Sequence, residues 1–370
     1  MHPRASVYKF YYYLMFARPK IIFSDTFCCI NVYLASGMEQ LAALQEFLQT
    51  PRNIVITTHQ KPDGDAMGSS LAMFNYLQSK GHNARVISPT EFPAYFGYLP
   101  GCEEIWNYLD NPNLSQIAIA EADLIICLDF NDLSRIEPLD VAIKANTAAK
   151  ILLIDHHLYP KEFAHWMLHS VKASSTCELV FEFISMADPE YVPTKEVAEC
   201  IYTGILTDTG SFSNGATNKR ALQITAFLLD CGLDIIHVQE QLNQNGREEK
   251  LRFIGNALSR NMIIREDLGI GIIIVDKKDA YRYNLQTGDT EGLVNFPLSI
   301  RNVKVAILLK QEPRIIKLSF RSKGTISVEK ICREHFEGGG HRNASGGKSF
   351  LTIDETLEKI YAIFEKEKIV

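Results

Sequence analysis

Short runs of consecutive apolar, largely β-branched residues recur along the first half of the chain. Each is followed by polar residues or by a stretch with helical spacing. NIVITTH (53–59), ARVIS (84–88), DLIICLD (123–129) and ILLID (151–155) are such runs. Apolar on both faces, they predict buried strands rather than half-exposed ones. Between them GSSLAMFNYLQSKG (68–81) predicts a helix with Gly81 as its stop signal. Ser175 and Glu178 form a capping box that opens CELVFEFISM (177–186), and 195–206 and 219–231 are helical in pattern. Strand–helix alternation of this kind argues a parallel sheet covered by helices on both faces. Segment 234–261 is charged and helical and predicts a connecting helix. Beyond it the texture changes to strands at 270–276, 303–310 and 314–322 and a closing helix at 356–368. The expected fold is α/β, with a parallel-sheet domain at 38–233 joined by that connecting helix to a smaller α/β domain at 262–370.

Residues 1–37 differ from the rest. They are aromatic and basic, with four cations against Asp25 and no clean period, so the acidic balance of the chain belongs to residues 38–370. A signal peptide is one reading, but Asp25 and Asn31 interrupt its apolar run. A true start at Met38 is the reading preferred, because MEQLAALQEFLQ then begins the chain as an amphipathic helix with Leu41, Leu44 and Leu48 on one face. Residues 1–37 are then a non-native extension.

With 370 residues, 22% charged and 46% hydrophobic, the composition excludes collagen-like, coiled-coil and disordered classes and leaves core enough for two domains. A formal charge of −6 argues against an all-over basic surface for duplex binding, though not against a local basic groove. The eight cysteines form no CxxC pair, which argues against a disulfide framework or a zinc ribbon and for a reducing, cytoplasmic setting.

The chemistry is carried by position. The first strand runs into His59, Asp63 and Asp65; the LIICL strand ends on Asp129; the ILLI strand ends on Asp155, His156 and His157; and Asp208 ends a helical stretch in GILTDTGSF. In open parallel sheets, ligands bind outside the carboxyl ends of the strands. Singly, each aspartate reads as a turn former or helix cap. Jointly, carboxylates mixed with imidazoles suit Mn²⁺ or a similar divalent ion better than structural zinc, and there are too many for one ion. Two ions bridged by one carboxylate would use them all, an arrangement suited to displacement at phosphorus. In the second domain Gly338, Gly339, Gly340 and His341 read either as a flexible loop or as a phosphate clamp. Arg321 and Ser322 end a strand beside it.

The motifs HQKPDGDAMGSS, LDF, DHH and TDTGSF, in this order, resemble those of the DHH phosphoesterase superfamily. FRSKGTISV and GGGHRNASGG resemble the DHH-associated domain of its RecJ-like branch. The resemblance runs from about residue 40 to the end and is most similar to the stand-alone oligoribonucleases that also dephosphorylate 3′-phosphoadenosine 5′-phosphate. It implies that His59, Asp63 and Asp129 hold one Mn²⁺, with Mg²⁺ or Co²⁺ as substitutes, and that Asp65, Asp129, His156 and Asp208 hold a second. It further implies that His157 faces the scissile phosphate, that Asp155 orients a histidine, and that Arg321, Ser322 and Gly338–His341 bind the nucleotide in a cleft between the domains. Short RNA or a nucleotide is the implied partner, with no membrane, and a homodimer is compatible with it. Cyclic or linear dinucleotide hydrolysis (c-di-AMP or pApA), single-strand DNA exonuclease activity and a catalytically dead nucleotide-binding protein are the alternatives. The last predicts lost ligand positions, and every one of them is filled.

Overall fold

The computed structural model describes residues 37–367. The readings of residues 1–36, Cys28 and Cys29 included, lie outside this range. The six cysteines within it are all free. Among the described residues no single helix is long and apolar enough to cross a membrane.

After a helix over Gly37–Phe47, six parallel strands build the first sheet: β1 (Asn53–Thr57), β2 (Asn83–Ser88), β3 (Trp106–Asn107), β4 (Leu124–Leu128), β5 (Lys150–Asp155) and β6 (Trp166–His169). Their order is β3-β2-β1-β4-β5-β6. The continuous apolar runs are explained by burial on both sides. Ile54, Ile56, Leu124 and Ile126 feed one core, while Val55, Ile125 and Cys127 feed the other. A strand with two packed faces has no polar alternation to show. The chain leaves β1 towards β2 on one side and returns through β4 on the other, so the crevice at the carboxyl ends of β1 and β4 is the topological switch point.

Several local expectations differ in detail. The helix expected at 68 begins at Gly64, because the Asp63 carboxylate caps the amides of Asp65 and Ala66. It stops as expected, with Gly81 left-handed at φ 82°. Ser175 caps the helix Thr176–Ala187 through the Glu178 amide, but Glu178 reaches back to Ser174 rather than to Ser175. The segment expected as one connecting helix is two, Ile235–Asn243 and Glu248–Arg260, broken around Asn245-Gly246 where glycine disfavours helix.

The second sheet has the order β11-β12-β10-β9-β8-β7, formed by β7 (Met262–Arg265), β8 (Ile270–Val275), β9 (Val305–Gln311), β10 (Ile316–Ser322), β11 (Gly339–His341) and β12 (Ala344–Ser349). Within this sheet β8 and β9 pair in parallel, and the other described pairs are antiparallel. The glycine segment expected as a loop is thus the first strand of a hairpin, with His341 opposite Ala344. Gly338 has a packing reason, since a Cβ there would overlap the backbone of Gly346 and Gly347.

Candidate active site

Helix contacts position the carboxylates. The helices Gly64–Ser79 and Lys195–Asp208 approach so closely that a Cβ on Gly64 would overlap Thr207, and one on Gly204 would overlap Cys177 and lie 2.6 Å from Asp65 Oδ1. That contact places Asp65, near the start of one helix, against Asp208, at the end of the other. Gly204→Ala is expected to overpack this junction, destabilise the fold by ~1–3 kcal/mol and displace Asp65. Denaturant unfolding checks the first effect; an unchanged midpoint would remove the junction from the account.

Asp65 is fully buried. Its two oxygens accept the amides of Cys177 (2.8 Å) and Thr176 (2.6 Å). These are the first amides of the helix capped by Ser175, so a carboxylate sits where the helix dipole favours negative charge. Asp129 follows β4 with a left-handed backbone, φ 64°. A non-glycine residue there stores about 1 kcal/mol or more and persists only when its surroundings hold it. The Thr176 hydroxyl donates to its Oδ1 at 3.0 Å.

Around Asp129 the histidines close in. His59 Nε2 lies 3.5 Å from Asp129 Oδ2 and 3.9 Å from Asp63 Oδ1. His156 Nε2 lies 3.5 Å from Asp129 Oδ1, 3.7 Å from Asp65 and 3.2 Å from Asp208. The His59 Nδ1–H donates to the Gln60 carbonyl at 2.8 Å, which leaves Nε2 as the ligating nitrogen. His157 Nδ1 hydrogen-bonds Asp155 Oδ1 at 2.8 Å, and the other oxygen of that fully buried carboxylate has no hydrogen-bond partner. His341 comes from the second sheet and stacks on His157, ring centres 4.6 Å apart and planes at 28°.

Charge crowding is severe. Burial and then the Asp129 charge push the Asp65 carboxyl up to about 7. Burial and then Asp65 push Asp208 well above the usual carboxylate range. Burial opposes ionisation of Asp129 as well, but hydrogen bonds from His156 and His59 hold it well below that range. Burial and the two neighbouring imidazoles drive His341 down to about 2.

His59, Asp63 and Asp129 form one group of donor atoms, all within 4.8 Å of one another, and Asp65, Asp129 and His156 form a second; Asp129, Asp155 and His157 form a third and His156, His157 and His341 a fourth. Hard carboxylate oxygens and imidazoles, shared through one aspartate and short of cations, fit a pair of divalent ions. The structure brings together His59, Asp63, Asp65, Asp129, Asp155, His156, His157, Asp208 and His341. Arg321 lines a groove that reaches Asp63. Ser322 is less available: its hydroxyl donates to the Ile326 carbonyl and accepts from Asn343. Two contributors were not singled out from sequence. Thr176 bonds Asp129, and the capping box could have located it. Arg135 acts electrostatically on His59, His157 and His341, and no motif marks it.

The sequence matches the DHH family, N-terminal domain, over residues 53–205 and the DHHA1 domain over 272–366. A solved exopolyphosphatase-related protein from Bacteroides fragilis is 36% identical, with 90% of this chain and 97% of that one covered and a TM-score of 0.84. The chain belongs to the DHH phosphoesterase superfamily. It is accordingly a metal-dependent hydrolase acting on phosphoester bonds. The bifunctional oligoribonuclease and PAP phosphatase NrnA of Thermus thermophilus is 26% identical over 89% of this chain and 94% of its own length. The cyclic-di-AMP phosphodiesterase GdpP of Bacillus subtilis is 24% identical over 86% of this chain, which spans only 48% of it.

Proposed function

We propose that this DHH phosphoesterase hydrolyses short oligoribonucleotides to mononucleotides and removes the 3′-phosphate of 3′-phosphoadenosine 5′-phosphate to leave AMP. The observation that carries the reading is that Asp129 is shared between the His59–Asp63 and the Asp65–His156 donor groups, with His341 stacked on the adjacent His157. In this reading His59, Asp63 and Asp129 hold one cation and Asp65, Asp129, His156 and Asp208 the other. Mn²⁺ suits the mixed donors best. Bound, the cations would supply Lewis-acid activation of a water and charge neutralisation at phosphorus.

The chain's own residues do the rest. Asp155 fixes the His157 tautomer by accepting its Nδ1–H, which leaves Nε2 for substrate. Burial keeps His157 below its ordinary pKa in the free protein. An arriving phosphate raises it again, so His157 can hold a proton against a phosphoryl oxygen and pass it to the leaving oxygen. Arg321, Gly338–Gly340 and His341 bind the nucleotide from the second sheet and limit access of water. The oligoribonuclease reading is favoured over the cyclic-dinucleotide one because the likeness to NrnA spans nearly the whole of both chains, whereas the likeness to GdpP spans about half of that protein.

The test offers a dinucleotide RNA, 3′-phosphoadenosine 5′-phosphate, c-di-AMP and long single-stranded DNA side by side in Mn²⁺. Turnover of the first two above the others is the expected result. Preference for c-di-AMP or for the DNA would reassign the substrate, and no turnover of any would overturn the proposed substrate class.

A further inference from the structure

The loop that follows β5 holds one residue in a conformation its side chain resists. Tyr159, two residues after His157, has a left-handed backbone with φ 59°. A bulky residue rarely adopts that region, and Pro160, next in the chain, pushes its predecessor towards extended backbone. Neighbouring peptides hold it there. The Leu158 carbonyl accepts the Asn131 side-chain amide at 2.6 Å, and the Lys161 amide donates to the Asn131 carbonyl at 2.8 Å. The His169 Nε2–H donates to the His157 carbonyl at 2.6 Å. Asn131 follows β4 and His169 ends β6, so the segment is fixed from the strands on both sides of β5. What this bracing maintains is exposure. Tyr159 is 66% exposed. Among the described residues its hydroxyl has no hydrogen bond and its ring meets no other ring or cation, whereas the hydroxyls of Tyr95 and Tyr98 bond Glu291 and Thr203. Glycine takes such a backbone without strain, so packing does not account for an aromatic ring at this position.

We infer that Tyr159 is a base platform, on which the nucleobase that the second sheet does not hold stacks during phosphodiester hydrolysis. Strained backbone that its surroundings hold in place gathers at sites of function. Two residues of chain put the Cα atoms of His157 and Tyr159 at most ~7 Å apart, within the span of one nucleoside. In the reading above, Arg321 and His341 take one nucleotide from the second sheet. Tyr159 belongs to the first sheet and serves the nucleoside on the other side of the scissile phosphate. Every base has a π-face, so a single exposed ring selects for the presence of a second base and not for its identity. The substrate class is therefore a dinucleotide or short oligonucleotide of mixed sequence. The inference rests on the phosphoesterase substrates proposed above and adds how the second base is held.

The test compares kcat/KM for the dinucleotide pApA with that for 3′-phosphoadenosine 5′-phosphate, which carries one base. In Tyr159→Ala the ratio should fall about tenfold, the scale of one lost base–aromatic stack, and chiefly through KM for the dinucleotide. Tyr159→Phe keeps the ring and should keep the ratio. A ratio within twofold of wild type in Tyr159→Ala, as an equal loss on both substrates would give, would overturn the platform. So would wild-type protein that turns over the mononucleotide and leaves pApA intact. If Tyr159→Ala does not fold, Tyr159→Gly, which suits the left-handed backbone, is read by the same ratio. Calorimetric binding of pApA separates the two levels. If wild-type protein hydrolyses neither substrate, the proposed substrate class falls, and the platform then stands or falls on whether the Kd for pApA rises about tenfold in the alanine variant or stays the same.

Discussion

Asp129→Asn should reduce turnover by ~10³-fold or more while the protein still folds. Asp129 is the one carboxylate common to both donor groups, with His59 Nε2 and His156 Nε2 each 3.5 Å away. Asparagine keeps one oxygen and the shape but removes the charge, so both cation sites lose affinity and the several kcal/mol they contribute in the transition state. The backbone argues for retained folding. Asn tolerates the left-handed region better than most residues, and position 129 has φ 64°. Stability of the metal-free variant should fall modestly, because the hydrogen bonds from His156 and His59 that favour the Asp129 charge are weakened, an effect partly offset by relief of Asp65. Turnover of a dinucleotide and a thermal melt on the same preparation check both halves. Turnover within tenfold of wild type would sink the shared-ligand assignment.

Chelation should abolish activity and lower the unfolding midpoint, and divalent cations should restore both. A cation that binds only the folded state at a thousand times its Kd stabilises by ~4 kcal/mol. The gain should depend on pH with a definite sign. Folding pushes the Asp65 carboxyl up to about 7, so the metal-free fold loses stability as pH rises from the ordinary aspartate range through about 7. Burial works against a charged His156, yet Asp129, Asp208 and Asp65 hold its pKa well above the ordinary histidine value. Cations must displace the protons of both groups. The midpoint shift on adding Mn²⁺ is therefore expected to be larger at pH 8 than at pH 6. An equal shift at both, or full activity in chelator, would contradict the site as described.

Much of this was legible locally. An apolar run that ends on Asp129, or on Asp155-His156-His157, marks a buried strand delivering polar groups to a sheet edge. Burial on both faces and the position of a strand end are properties of a few adjacent residues. Helix starts and stops were legible for the same reason, at Ser175 and at Gly81. The aspartates that double as caps show the limit: the sequence admits Asp63 as a cap and as a ligand, and in the fold it caps Asp65 and Ala66 while its side chain reaches His59.

What local pattern leaves undecided is neighbourhood. Only the tertiary structure decided that β1 and β4 are adjacent, which sets His59 beside Asp129. The same holds for the close helix contact at Gly204, for the amides of Thr176 and Cys177 on Asp65, and for His341 over His157. The glycine segment read as a loop became a strand, because its hydrogen-bond partner lies across a hairpin turn rather than in its own pattern. Periodicity records which face of an element is buried. Register and strand order depend on packing between distant segments, and the site is assembled from residues that only such packing brings together.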